Sequence, residues 1–332
     1  MKITYLLGAG ASAAALPVVK NIYPELLTFK EIFISNRSGS DEQIDNLSQT
    51  IREMEEDFIK SLEVILDELP KHASIDTYAK KLLITGNLTS YNRLKSIFSG
   101  FLIYTQLVKE VDRRYDSFFA SILGTHGNDF IGDITILTWN YDFQLEKAYS
   151  AFSNSDTLAS NQAMLNVSFP ESDRFDTNRS FSVFKLNGTA GFNDSKWRNH
   201  YPVAEGFNVI DQRGFFKDLV KTYGYSRMQN TGVHSSLSFA WDNDNNKFYN
   251  TIANKINGTE IMVIIGYSVP FFNRIIDRKI IHAVAPTIRR VYVQDIYPDN
   301  VVDSLSSIWP IGTDIPIKVI SSVDQFFVPP QL

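Results

Sequence analysis

The sequence predicts an α/β fold: a doubly wound, mostly parallel Rossmann-like sheet carrying an inserted helical layer. Three observations predict it. Short runs of Ile, Val, Leu and Phe recur without polar alternation, as strands buried on both faces do. Each run hands over directly to a polar or glycine-containing stretch. Amphipathic segments at helical spacing separate the runs.

The first strand is expected at residues 3–7, followed by the small-residue turn GAGAS at 8–12. A parallel strand ending in such a turn is expected to leave backbone N–H groups unpaired at the start of a helix, where a diphosphate can sit. GAGASA also fits G-x-G-x-x-G/A, with Gly8, Gly10 and Ala13 at the small positions. Leu16-Pro17 stops any helix within two turns, because proline removes a donor and restricts the residue before it. A nicotinamide dehydrogenase needs a full helix here and then a second strand ending in an acidic residue. Glu25 and Glu31 stand at about that distance, but NIYPELLTFKEIF reads as helix, so the dehydrogenase reading fails.

A helix is expected over 22–34, then a polar break at 35–40. Leu47, Ile51, Met54, Phe58, Leu62, Ile65 and Leu69 predict an amphipathic helix ended by Pro70, with Glu53, Glu55, Glu56, Asp57, Glu63, Asp67 and Glu68 on a solvated face. A second helical stretch is expected over 88–123, with Tyr91, Leu94, Phe98, Phe101, Leu107, Val111, Tyr115 and Phe118 on its apolar side. Further strands are expected at 134–138, 181–186, 261–265, 291–293 and 317–320, and helices around Phe248, Ile252 and Ile256 and over 273–284. The domain reading is one domain with a core at 1–35, 130–192 and 258–321, a helical insertion at 41–124 and a loop-rich insertion at 193–257.

Composition narrows the function. The chain has 332 residues, 44% of them hydrophobic and 21% charged, which is ordinary for a globular protein. It has no cysteine, which excludes disulfides and thiolate zinc sites. The histidines at 72, 126, 200, 234 and 282 show no metal spacing, so no metal is expected. A net charge of −5 argues against general nucleic-acid binding. The basic cluster Arg274, Arg278, Lys279, Arg289 and Arg290 reads as a solvated face. The apolar run near the N-terminus is too short for a signal peptide, and no segment reaches the length of a membrane span, so a cytoplasmic protein is expected. The run from Asp242 begins like a calcium loop, but Lys247 and Ala253 occupy the positions that need glycine and glutamate, so a turn is expected. In a doubly wound sheet, GAGAS, WNYD, NGT, GYS and QD would all gather at the carboxyl edge, around one cleft.

GAGAS with Leu-Pro, then strand-TWNYD, strand-KLNGT and strand-IGYS, resembles the sirtuin-like NAD hydrolases that act as effectors in bacterial antiphage defence. The resemblance covers the sheet and neither insertion. It implies NAD as substrate, with Gly8, Gly10, Ala11 and Ser12 lining the diphosphate and Pro17 in the loop over the nicotinamide. It implies Asn140 and Asp142 at the nicotinamide ribose and carboxamide, Gly266 and Ser268 at the adenosine half, and Gln294 or Asp295 near its ribose. An NAD-depleting activity has to be restrained, so a homo-oligomer or a gating partner protein is also expected. Sirtuin deacylases carry a four-cysteine zinc module that this chain lacks, which removes protein deacylation. The family places histidine where this chain has Asn187.

Cleaving nicotinamide from ribose needs a held dinucleotide, one admitted water and a proton acceptor. Asn140 suits positioning, since an amide offers a donor and an acceptor without charge, and Asp142 can accept from the carboxamide. Asn187 can orient water but is no base near pH 7. His200 or His234 could substitute from the aromatic-rich insertion. Three explanations follow: an NAD hydrolase, with Asn140 and Asn187 in the catalytic positions, that uses a substitute base; such a hydrolase deliberately disabled by Asn187; or a naturally inactive subunit that binds NAD or ADP-ribose and regulates a partner.

Overall fold

The structure is a computed structural model. It describes every residue except 46, 126–128, 172–174, 195–198, 202–205, 208–210, 229–230, 243–245 and 313–315, and does not describe the side chains of 194, 199–201 and 246. In chain order, β1 (Lys2–Leu7) is followed by α1 (Ile22–Asn36), α2 (Ile51–Glu68), α3 (Ile75–Ile84), α4 (Leu88–Val108) and α5 (Arg113–Ile122). Then come β2 (Asp133–Thr138), α6 (Gln144–Tyr149), α7 (Leu158–Met164), β3 (Val167–Ser168), β4 (Phe181–Lys185), β5 (Gly188–Asp194), β6 (Asn199–Tyr201), α8 (Gln212–Ser226) and β7 (Val233–Leu237). The last part holds α9 (Asn246–Ile256), β8 (Ile261–Ile265), α10 (Arg274–Val284), β9 (Arg290–Gln294), α11 (Pro298–Ser306) and β10 (Ile317–Ile320).

The chain divides into two compact units, one of residues 1–15, 111–188 and 239–332 and the other of 16–110 and 189–238. The first contains a seven-stranded sheet in the order β10-β9-β8-β1-β2-β4-β3. Every pairing in it is parallel. Alternate residues of the strands enter two cores. Leu6, Leu137, Phe184, Met262, Ile264 and Val293 face one way and pack with Ile252 of α9, Ile280 of α10 and Leu305 of α11. Ile3, Tyr5, Ile134, Ile136, Val183 and Val263 face the other and pack with Phe118 and Phe119 of α5, Tyr149 of α6 and Phe326. Both faces are covered, which is why the strands show no polar alternation and why the sheet is a doubly wound, Rossmann-like one.

Register sets the edge where loops gather. Leu7 lies opposite both Thr138 and Ile265, Thr138 opposite Lys185, and Ile265 opposite Gln294. Five strands therefore end level, and five loops leave from one edge. In space the sheet runs outward from β1 through β2, β4 and β3 on one side, and the chain later crosses to β8, β9 and β10 on the other. The gap between β1 and β8 is thus the switch point, where an open crevice is expected.

The glycine turn fills that gap. Gly8 N–H donates to Ile265 O at 3.0 Å, Gly10 N–H to Gly266 O at 2.9 Å and Ala11 N–H to Gly8 O at 2.9 Å. A Cβ on Gly8 would stand 2.6 Å from Gly266 O, and one on Gly10 would stand 2.7 Å from Gly266 Cα. Gly266 has φ +59°, and a Cβ there would lie 2.4 Å from the Gly10 carbonyl carbon. Three of the amides expected to be unpaired, those of Gly8, Gly10 and Ala11, are therefore bonded within the protein. Nor does a true helix start here, since residues Ala9–Ser12 form one 3-10 turn.

The second unit holds α1 to α4 and α8 with a small sheet of order β6-β5-β7, in which β5 and β6 are antiparallel. Its core is aromatic: Phe29, Phe33, Phe58, Tyr104 and Phe216 lie ring against ring. Three expectations are corrected. The stretch 88–123 is two helices, because Asp112 caps α5 by accepting from Arg114 N–H at 3.1 Å. The amphipathic helix starts at Ile51, after a capping box of Thr50 and Glu53, and leaves Leu47 outside it. Glu55 does not lie on a solvated face; it is buried and accepts from the amides of Ser38 and Gly39 at 2.7 and 2.9 Å.

Gly266→Ala is expected to cost at least about 2 kcal/mol in urea unfolding, since it adds backbone collision to left-handed strain. Gly258→Ala, at φ +82° with open space around it, is the control and is expected to cost about 1 kcal/mol. Equal losses would show that the loop contact carries no weight.

Candidate functional site at the carboxyl edge of the sheet

Ser12, Asn140, Asp142 and Tyr115 form one buried polar cluster above the ends of β1 and β2. Asn140 is set just past β2, where its own N–H bonds the Thr138 hydroxyl at 3.1 Å. Its Nδ2 donates to Gly8 O at 2.9 Å and to Ser12 Oγ at 3.3 Å. Ser12 Oγ also lies 2.9 Å from the Tyr115 hydroxyl, and the Ser12 hydroxyl favours the ionised form of Asp142. Asn140 therefore has both amide hydrogens engaged, and only its Oδ1 remains to meet a ligand. This narrows the expected donor-and-acceptor role to acceptor.

Asp142 accepts from Gln144 N–H, at the first residue of α6, at 3.1 Å. Burial raises its pKa, opposed by the Lys185 ammonium, the Ser12 hydroxyl and the Gln144 amide. Lys185, in β4, is wholly buried and forms a 2.7 Å ion pair with equally buried Glu146 of α6. Its ammonium also donates to the Asp142 carbonyl. A lysine and glutamate lying inside the protein thus fix the backbone of the NYD loop.

Asn187 follows β4 and is 6% exposed. Its Nδ2 donates to Trp139 O at 3.2 Å and to the Tyr141 hydroxyl at 3.4 Å. Its Oδ1 is buried and has no hydrogen-bond partner among the described residues. A buried acceptor left without a donor costs about 1–3 kcal/mol, so the position favours a bound donor. Tyr141 continues into a chain of rings: Phe239 at 6.3 Å, then Trp241 stacked on Phe239 at 5.0 Å.

The structure thus joins Gly8, Gly10, Ala11, Ser12, Asn140, Asp142 and Gly266 by direct contact, with Asn187 against the loop that carries Asn140. Ser268 is exposed and Asp295 half-buried at the same edge; Asp295 accepts from Tyr297 N–H at 2.8 Å. Gln294 has a different task. Its side chain donates to Ser322 O and Gln325 O and accepts from Phe327 N–H, tying down the C-terminal segment. Pro17 belongs to the second unit. His234, in that unit, has Nδ1 3.0 Å from Gly232 O. The side chain of His200, all of His126 and residues 243–245 of the declined calcium loop lie outside the described residues. Asp242 turns its carboxylate to Phe239 N–H at 3.0 Å, as in a turn. Val269, next after the GYS loop, is buried at φ +54°, a strained conformation for a β-branched residue.

Three residues were missed in the sequence. Arg114 donates to Gly10 O at 3.0 Å and Ala11 O at 3.1 Å while paired with Asp112 at 2.6 Å, so it clamps the glycine turn. Tyr115 was expected only as apolar surface, yet it brings its hydroxyl to Ser12. Asp277 of α10 joins two loops, accepting from Trp139 Nε1 at 3.1 Å and the Tyr267 hydroxyl at 2.6 Å. The Asp112 cap was the available signal for Arg114; Asp277 gave none.

Among the described residues no group of three or more His, Asp or Glu side chains could hold a metal ion, and no helix is long and apolar enough to cross a membrane. The fold and the loop cluster define a Rossmann-like α/β protein with a buried polar cluster at the carboxyl edge. Compared with known proteins, the chain matches no family model and no curated sequence.

Burial raises the Asp277 pKa from 3.8 to about 7. A carboxyl raised on folding contributes stability that is complete below its unfolded value and lost as pH rises through the folded one. Wild-type stability to urea is therefore expected to fall between pH 4 and pH 7 relative to Asp277→Asn, by about 1 kcal/mol or more. Parallel pH profiles for the two proteins would refute it.

Proposed function

We propose that the chain is an NAD hydrolase that cleaves the nicotinamide–ribose bond to give nicotinamide and ADP-ribose, and that it serves as an NAD-depleting effector of antiphage defence. The observation that carries this reading is the Oδ1 of Asn187, which has no hydrogen-bond partner among the described residues and is buried beside the loop of Asn140 at the carboxyl edge. In the sirtuin-like pattern that position holds the histidine. In the proposed reaction the C1′–N bond breaks with its electron pair going to nicotinamide. Water adds to C1′ and gives up a proton, so that NAD and water become nicotinamide, ADP-ribose and a proton. Asn140 and Asp142 would hold the ribose and carboxamide, with Ser12 and Tyr115 fixing Asn140. Asn187 would orient the water. A bound homo-oligomer or partner protein would restrain the activity.

A second reading has its own support. Neither nitrogen nor oxygen of Asn187 takes a proton near pH 7, and loss of a general base typically lowers a rate by about 10²- to 10⁴-fold. On that ground the chain would be a subunit that binds NAD or ADP-ribose and regulates a partner enzyme. Asn187→His distinguishes the two. It is expected to raise nicotinamide release from NAD at least about tenfold, with a pH profile that rises near neutrality. NAD binding by calorimetry without turnover in either form would favour the regulatory subunit. No heat of NAD binding in either form would sink both readings.

A further inference from the structure

The second unit contains a cavity of about 530 Å³ that nothing above uses. It lies where the start of α4, the end of α8 and the start of β7 meet, and its lining includes Thr89, Asn92, Arg93, Ser226, Arg227 and His234. The volume falls in the range of small-molecule sites. Its charge is one-sided. Arg227 Nη1 pairs with Asp57 at 2.7 Å and Arg93 Nη2 stands 3.7 Å from the same carboxylate. Asp57 also accepts from the Tyr223 hydroxyl at 2.9 Å. One carboxylate shared among three donors leaves net positive charge beside the cavity. Arg93 Nε is buried and has no hydrogen-bond partner among the described residues. A guanidinium donor in that state lacks the acceptor its burial calls for.

A further feature favours an anion. α4 is 21 residues long and its first turn, with Thr89, lines the cavity. The amino end of such a helix carries partial positive charge. Two forked cations and a helix start together match the several acceptor oxygens of a phosphate better than a single carboxylate. We infer that this cavity binds a phosphate-bearing small molecule of up to nucleotide size, held by Arg93 and Arg227 at the start of α4.

Calorimetry with inorganic pyrophosphate and with ADP, on the full chain, tests it. Arg93→Gln is expected to weaken pyrophosphate binding at least tenfold. Thr89→Glu keeps the helix start favourable, because a carboxylate there suits the dipole, but puts a negative charge at the cavity. It is expected to bind pyrophosphate at least tenfold more weakly while unfolding in urea at or above the wild-type midpoint. Pyrophosphate affinity unchanged in Thr89→Glu, or no binding by the wild-type chain at millimolar concentration, overturns the assignment. ADP bound with the same loss in both variants places a nucleotide there; pyrophosphate alone showing the loss places a smaller phosphate there.

Discussion

The contact between two backbones at the β1–β8 gap is the constraint on which the carboxyl edge depends. Gly8 and Gly10 on one side and Gly266 on the other approach so closely that a single Cβ at any of them would collide with main chain. Two hydrogen bonds, from Gly8 to Ile265 and from Gly10 to Gly266, extend the parallel ladder past the strand ends. The turn after β1 is consequently not a loose loop but the next step of the sheet. Arg114 then holds it from the other side through the carbonyls of Gly10 and Ala11. Side chains that begin from this platform, Ser12 foremost, inherit its fixed position.

A second constraint works through buried charge. Lys185 and Glu146 are almost entirely excluded from solvent, and each alone would be costly there, with removal of one partner typically destabilising by about 3–5 kcal/mol. Together they hold the loop that carries Asn140 and Asp142, since the ammonium reaches the Asp142 carbonyl. On the opposite side of the same loop, Asp277 grips Trp139 and Tyr267. The loops after β2 and β8 are thus held against each other by a carboxyl group that burial brings toward neutrality. Rigid positioning of this kind is what a site needs if its groups are to act on a bound molecule rather than move aside.

The strands were legible because burial on both faces forces continuous apolar runs, and the level strand ends followed from their parallel order. The polar residues at the five strand ends could be named for the same reason. The glycines were legible as glycines but not for their cause. G-x-G-x-x-A serves equally for a phosphate cradle and for close packing of main chain, and only the register of β1 against β8 decides between them. Arg114 and Tyr115 were hidden because the apolar spacing of 88–123 runs through the Asp112 break without interruption. Nothing local to Lys185 shows that Glu146, 39 positions earlier, waits beside it. The second unit was the least legible. Its β5, β6 and α8 draw on a stretch of Asn, Gly and aromatics whose pairing is set by segments far away in the chain.

The direction of the free hydrogen-bonding groups limits what can sit at the carboxyl edge. Asn140 has both amide hydrogens engaged by Gly8 O and Ser12 Oγ. Asn187 has both engaged by Trp139 O and the Tyr141 hydroxyl. Trp139 O can only accept, so the Asn187 amide cannot be turned the other way without losing that bond. What the cluster offers is therefore oxygen: Oδ1 of Asn140, Oδ1 of Asn187 and the carboxyl of Asp142. Such a surface selects groups that donate, such as sugar hydroxyls, a carboxamide NH2 or water, and repels a phosphate. The amides of Gly8, Gly10 and Ala11 are bonded inside the protein as well, so a diphosphate gains nothing from them. A dinucleotide at this edge would accordingly be held by its ribose and carboxamide, with its charged centre kept away from the oxygen-lined cluster.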